Sequence, residues 1–157
     1  MVPHRPGALQ TVTALVTGGA GFIGSHLADA LAGRNEKVRI LDDLSTGKRS
    51  NLRPDAEFIH ASVTDRAALD HAMKGVGAVF HLAAVVSVQQ CLTDPAGSTE
   101  VNVTGTVRVL QAAAAELMTS GVYDRHLQTA VAPARKKTRA LVAALEGLLP
   151  EEGWSIT

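Results

Sequence analysis

Thr17-Gly18-Gly19-Ala20-Gly21-Phe22-Ile23-Gly24 is the stretch on which the fold turns. It follows Ala14-Leu15-Val16-Thr17, a short apolar run of the kind that forms a strand buried in a parallel sheet. It leads into Phe22 to Ala32, where Ile23, Leu27, Ala30 and Leu31 recur at helical spacing until Gly33 stops the helix. A helix that begins at a glycine turn leaves its first N–H groups unpaired and carries partial positive charge there, so an anion is stabilised at its mouth. Three tasks fall to the glycines. Gly18 or Gly19 makes the tight turn, Gly21 lets backbone approach a phosphate, and Gly24 lets the helix pack closely on the strand. Both the G-x-x-G-x-x-G and the G-x-G-x-x-G spacings are satisfied.

Outward from this stretch, strands and helices alternate. Lys37-Val38-Arg39-Ile40-Leu41 reads as a second strand ending at Asp42, and Glu57-Phe58-Ile59-His60 as a weaker third. Asp65 can cap a helix that carries Ala68, Leu69, Ala72 and Met73. Ala78-Val79-Phe80-His81-Leu82 is a fourth strand, and after the Asp94-Pro95 start signal a long helix is predicted from about Ser98 to Leu117. Such alternation implies βαβ units with right-handed crossovers. The expected fold is α/β: a Rossmann-type doubly wound parallel sheet of strand order 3-2-1-4, incomplete because two further strands are not evident, with an amphipathic C-terminal helix. The expected layout is a flexible tail over 1–11, the cofactor-binding domain over 12–117, and a divergent tail over 118–157. In that tail Leu127, Thr129 and Val131 alternate as in a short strand. A helix over about 133–149 puts Leu141, Val142, Leu145, Leu148 and Leu149 on one face.

Asp42 closes the second strand at the distance expected of a ribose-binding acid. A carboxylate there accepts from ribose hydroxyls and repels a 2′-phosphate, so the expected ligand is NAD rather than NADP, with Lys48 and Arg49 the nearby bases that would favour the latter. Fifteen basic and fifteen acidic residues cancel, which removes the electrostatic footprint of a nucleic-acid binder. The single Cys91 excludes an intrachain disulfide, and the six histidines show no metal-ligand spacing. The longest apolar run, Gly77 to Val88, is too short to span a bilayer, and the first ten residues carry no secretory signal. A cytoplasmic protein is expected, without membrane or nucleic-acid partners.

Taken with Asp42-Asp43-Leu44-Ser45-Thr46-Gly47, His81-Leu82-Ala83-Ala84 and Asn102-Val103-Thr104-Gly105-Thr106, the glycine stretch resembles the extended short-chain dehydrogenase/reductase family, the NAD-dependent nucleotide-sugar epimerases and dehydratases, from about Val12 to Ala115. The resemblance implies a bound NAD that takes a hydride from a sugar carbon and returns it. It implies that Phe22 and Ile23 offer backbone to the pyrophosphate beside Gly18, Gly21 and Gly24. Asp42, Asp43, Leu44, Ser45, Thr46 and Gly47 would surround the adenosine ribose, and Leu82, Ala83 and Ala84 would line the nicotinamide side. Asn102 would hydrogen-bond across the active-site helix. Ala61-Ser62-Val63 stands where the family usually has Gly-Asp-Ile, so Ser62 replaces the acid that meets adenine.

The family's acid/base pair, Tyr-x-x-x-Lys, is not in this sequence: the one tyrosine is Tyr123, and Leu127 lies four residues on. No catalytic residue is therefore assigned. Three readings stay open. One is an NAD-binding module of an epimerase-like enzyme altered after about Glu116 by truncation, deletion or a frame change. Another is an active nucleotide-sugar oxidoreductase completed by Tyr123, Thr119 or a second subunit. The third is a non-enzymatic interaction protein that pairs, as a homo-oligomer for instance, through its tail helix or the uncovered edge of the fourth strand.

Overall fold

In the computed structural model, which describes residues 13–121, 123, 136–140 and 142, β1 (Thr13–Thr17) runs into the glycine turn and α1 (Phe22–Ala32) follows it. Next come β2 (Lys37–Asp42), β3 (Glu57–His60), α2 (Arg66–Met73) and β4 (Val76–His81). All pairings are parallel and the order is β3-β2-β1-β4. This is the expected Rossmann-type sheet, with β4 at its edge among the described residues.

Side chains of adjacent strand residues point to opposite faces, and the core divides accordingly. Leu15 and Leu41 pack on one side with Val63, Leu69, Met73 and Val109. Val16 and Ile40 pack on the other with Ala28. Leu15, Val16, Ile40 and Leu41 are wholly inaccessible, each worth about 1.5–3 kcal/mol of burial, so the two central strands anchor the domain. Asp65 caps α2 by accepting from the Ala68 amide at 3.0 Å. Arg39 of β2 closes the other end of that helix by donating to the carbonyls of Ala72 and Lys74, opposite in sign to the helix terminus it meets.

The segment after β4 departs from the expected single helix. A short helix, α3 (Val88–Thr93), precedes the Asp94-Pro95 signal, and the signal opens α4 (Pro95–Thr99). A π-helical turn, Glu100–Gly105, follows, and only then α5 (Thr106–Thr119). The π turn brings Gly105 against Val63, where an added Cβ would lie 2.7 Å from the Val63 methyl. Local periodicity does not carry that contact. The fourth strand also starts and ends earlier than its apolar run suggests, so that Leu82 lies beyond it.

The chain divides into two units, Met1–Glu116 and Leu117–Thr157. In the second, residues 136–140 and 142 are helical, inside the expected tail helix. The expected N-terminal tail, the alternating segment around Leu127 and the remainder of the tail helix's apolar face lie outside the described residues. No described helix is long and apolar enough to cross a membrane.

Candidate functional site

At the carboxyl ends of the strands, where the chain leaves β1 to one side for β2 and to the other for β4, a crevice of about 310 Å³ opens. This is the switch point at which open α/β sheets bind ligands. Its floor is the glycine loop, with Gly18, Gly21, Phe22, Ile23 and Gly24. One wall is the β2 end, Leu41 to Asp43 with Ser45 and Thr46, and Ala61-Ser62-Val63 after β3. The opposite wall is Leu82 to Val86 with Val101. Every expected site residue lines this space except Leu44, Gly47 and Asn102.

The floor is shaped by backbone needs. Gly18 has φ +71, and a Cβ on it would stand 2.7 Å from the Ala83 nitrogen, so glycine both makes the turn and lets β4's exit pass. Gly24 meets the loop itself: its Cβ would lie 2.2 Å from the Gly18 carbonyl oxygen and 2.7 Å from the Gly19 Cα. In the loop before α1, Gly19 abuts the Ile40 side chain of β2. A Cβ on Gly21 would meet only the Gly18 oxygen within 4 Å, at 3.2 Å, so that position fronts the open crevice. No side chain caps α1 and its first turn carries no acid. The first-turn amides of Phe22, Ile23 and Gly24 are thus offered to an anion from outside the helix.

Asp42 organises what surrounds this mouth. One carboxylate oxygen accepts from the Ala20 amide at 2.9 Å and the other from the Leu44 amide at 2.8 Å. Asp43 turns the chain next, accepting from the Ser45 amide at 2.9 Å. The Ala20 carbonyl receives the Lys48 amide at 3.0 Å and the Asn51 side-chain amide at 2.9 Å. The Ala20 amide and carbonyl are therefore clamped by the end of β2 and the segment after it. Leu44 takes a left-handed φ of 59 in that loop, and Gly47 seats against Ala20 and Asp42. These two residues shape the wall from behind. A carboxylate has about four acceptor sites, so Asp42, with two filled by backbone, keeps capacity for further donors. Ser62 accepts from the Thr64 hydroxyl at 2.9 Å and faces the crevice without a charge.

Asn102 does not reach the crevice. Its carboxamide is spent on one residue, accepting from the Val85 amide at 2.8 Å and donating to the Val85 carbonyl at 2.9 Å. It pins the far wall from the π turn. The near end of that wall is held by residues not assigned as site residues from sequence. Thr17 Oγ1 receives the Leu82 and Ala83 amides at 3.2 and 3.3 Å and lies 2.7 Å from His81 Nδ1. His81 Nε2 lies 3.0 Å from Thr106 Oγ1. The signal was present in the sequence: polar Thr17 and His81 end the apolar runs Ala14-Leu15-Val16 and Ala78-Val79-Phe80 of two adjacent strands. Arg49, one of the bases after β2, holds its guanidinium 5.5 Å above the Phe58 ring.

Residues 14–136 match the model of the NAD dependent epimerase/dehydratase family. The chain belongs to this family. The UDP-glucose 4-epimerase of Mycolicibacterium smegmatis is 43% identical over an aligned length of 110 residues, with 63% of this chain and 34% of that protein covered. The UDP-N-acetyl-alpha-D-glucosaminuronate decarboxylase of Bacillus cytotoxicus is 38% identical over an aligned length of 102 residues, with 63% of this chain and 32% of that protein covered. Among solved structures, the Thermus thermophilus UDP-glucose 4-epimerase in complex with NAD superposes with a TM-score of 0.61 at 39% identity, covering 64% of this chain and 33% of that one. The chain spans about a third of the length of these family members.

Proposed function

We propose that this chain holds NAD in the crevice at the ends of β1, β2 and β4 and, by itself, performs no sugar chemistry. The observation that carries the reading is the uncapped start of α1 lying beside a buried carboxylate, Asp42, whose bond from the Ala20 amide fixes the loop from which the helix springs. The first-turn amides of Phe22 and Ile23 would take the pyrophosphate, as unpaired N–H groups at a helix start do. Asp42 with Asp43, Ser45 and Thr46 would take the adenosine ribose, and Ser62 and Val63 would lie at the adenine. Leu82, Ala83 and Ala84 would lie along the nicotinamide. Leu44, Gly47 and Asn102 would act on the cofactor only through the walls they hold. When bound, NAD supplies a hydride acceptor and donor.

A negative Asp42, only 7% exposed, would repel a 2′-phosphate, and the stacked Arg49 is engaged elsewhere; NAD is therefore preferred to NADP. The sugar half of the reaction needs an acid/base, and the chain offers Tyr123 with no lysine four residues on. A nucleotide-sugar, the ligand class named for the relatives, is the partner this cofactor would serve in a completed site. The protein is read as cytoplasmic.

Calorimetric titration of the full chain with NAD and NADP tests the reading. Saturable NAD binding with weaker NADP binding is expected, and no turnover of UDP-glucose in the presence of NAD. A folded sample that binds neither cofactor refutes it.

A further inference from the structure

We propose that His81, held as the neutral Nε2–H tautomer between Thr17 and Thr106, is a positioning residue for the Leu82–Ala84 wall, and that its protonation releases this wall and weakens cofactor binding in acid.

The tautomer follows from the partners. The Thr106 hydroxyl donates to the Asn102 carbonyl at 2.7 Å, so toward His81 it can only accept, and Nε2 must carry the proton. Nδ1 then carries a lone pair and accepts from the Thr17 hydroxyl at 2.7 Å. That leaves the two lone pairs of Thr17 Oγ1 for the amides of Leu82 and Ala83. Each group in the chain Thr17–His81–Thr106–Asn102 is used once and in one direction. The Asn102 side chain continues it by gripping Val85, so the wall is tied at both ends by one line of hydrogen bonds.

Protonation of Nδ1 reverses the first link. Thr17 Oγ1 would then meet the Nδ1–H, two backbone amides and its own hydrogen, with no acceptor left for the last. Thr17 is wholly buried, so water cannot supply one. Leu82 keeps a second acceptor, the Thr17 carbonyl at 3.1 Å. Among the described residues the Ala83 amide has no acceptor besides Oγ1, and the displacement therefore falls on Ala83, the residue against which Gly18 is packed. His81 is behind the wall and does not line the crevice, so the effect is transmitted.

The surroundings keep His81 neutral at ordinary pH. Its half-buried position pushes it below the usual histidine value, and burial is the whole cause. β1, β4 and the 82–87 segment carry no other titratable side chain. On the π turn and the start of α5 the charged residues are Glu100 and Arg108, which pair with each other at 3.3 Å.

The switch rests on the cofactor reading for one of its two readouts. In the first, NAD affinity of the full chain is measured from pH 8 to pH 5. The wild type should weaken on the acid side, with a limiting slope of about tenfold per pH unit if the bound form excludes the proton. In His81→Asn, Oδ1 stands near the place of Nδ1 and accepts from Thr17 without titrating, so the acid loss should vanish whatever the affinity at neutral pH. In the second, without ligand, the ¹⁵N shifts of His81 should report the Nε2–H tautomer, and the Ala83 amide should titrate with the imidazole. His81→Phe removes both bonds and can unfold the chain, which makes His81→Asn the deciding variant. Parallel wild-type and His81→Asn profiles, an Nδ1–H tautomer, or an Ala83 amide blind to the titration would each overturn the switch. Absence of NAD binding at every pH, with Ala83 still following His81, would instead count against the cofactor reading alone.

Discussion

Adding the same methyl group at Gly24 and at Gly33 should shift stability in opposite directions. Both glycines belong to α1 or its C-terminal cap, and helix propensity alone predicts that alanine gains up to about 1 kcal/mol at either. At Gly33 the backbone has φ −62, and the nearest atom to a new Cβ is the Asp29 oxygen at an ordinary 3.4 Å. Gly33→Ala should stabilise by about 0.4–1 kcal/mol, by narrowing the unfolded ensemble. At Gly24 the new carbon would stand 2.2 Å from the Gly18 oxygen and 2.7 Å from the Gly19 Cα. Neither atom can retreat cheaply, because Gly18 already abuts Ala83 and Gly19 abuts Ile40. Sliding the loop would break the Ala20 bond to Asp42 as well. Overpacking of this kind costs about 1–3 kcal/mol and a lost charge-assisted bond about 1.5–3, so Gly24→Ala should lose roughly 3–5 kcal/mol. For a chain of this size that is a fall in Tm on the order of 10 °C, against a rise of a few degrees for Gly33→Ala. Urea unfolding followed by circular dichroism measures both, and NAD titration of the folded fraction should show affinity lost only in Gly24→Ala. Equal stability of the two variants would refute the packing argument.

Three other changes separate the site from its scaffold. Asp42→Asn keeps the shape but turns one acceptor into a donor facing a backbone amide; it should cost about 1–3 kcal/mol in urea unfolding and narrow the NAD over NADP preference seen by calorimetry. Asn102→Ala frees the Val85 amide, leaves the Val85 carbonyl only the weak Cys91 thiol donor, and should speed hydrogen exchange of that amide while weakening NAD binding several-fold, on the order of 1 kcal/mol. Asp65→Ala removes only the α2 cap and should lower stability by about 1 kcal/mol with no change in the affinity of folded protein for NAD; an equal loss of affinity there would mean that the crevice simply reports global stability.

The sheet was legible because its strands carry buried apolar runs and its turns carry their own punctuation. Leu15, Val16, Ile40 and Leu41 have no polar alternative to the interior, and Gly21 and Gly33 bracket α1 where the spacing placed it. Asp42 was legible as an acid at a strand end. Its hold on Ala20 was not, because that contact spans 22 positions and appears only when β1 and β2 lie side by side. Between Val88 and Thr119 the spacing predicts a single helix, where α3, α4, the π turn and α5 stand. The α3 helix is short, and its apolar residues Val88 and Leu92 are exposed, so it presents no buried stripe to detect. The π turn answers to Gly105 meeting Val63, a tertiary demand that overrides the local period.

What the motifs share is that each joins a residue on the crevice to one behind it. Gly21 and Phe22 front the crevice while Gly19 seats the loop on Ile40; Asp43 and Ser45 front it while Leu44 and Gly47 fold the turn; Leu82 to Ala84 front it while Thr17, His81, Thr106 and Asn102 tie the wall. The floor and both walls are in turn cross-linked through two groups, the Ala20 peptide on one side and the Thr17 hydroxyl on the other. A crevice bound up in this way is set by folding rather than assembled by its ligand. Little ordering entropy then remains for a dinucleotide to overcome at the floor. The same cross-linking means that substitutions in the motifs act on stability and affinity together, and only positions such as Gly33 and Asp65, inside the fold but off these ties, can tell the two apart.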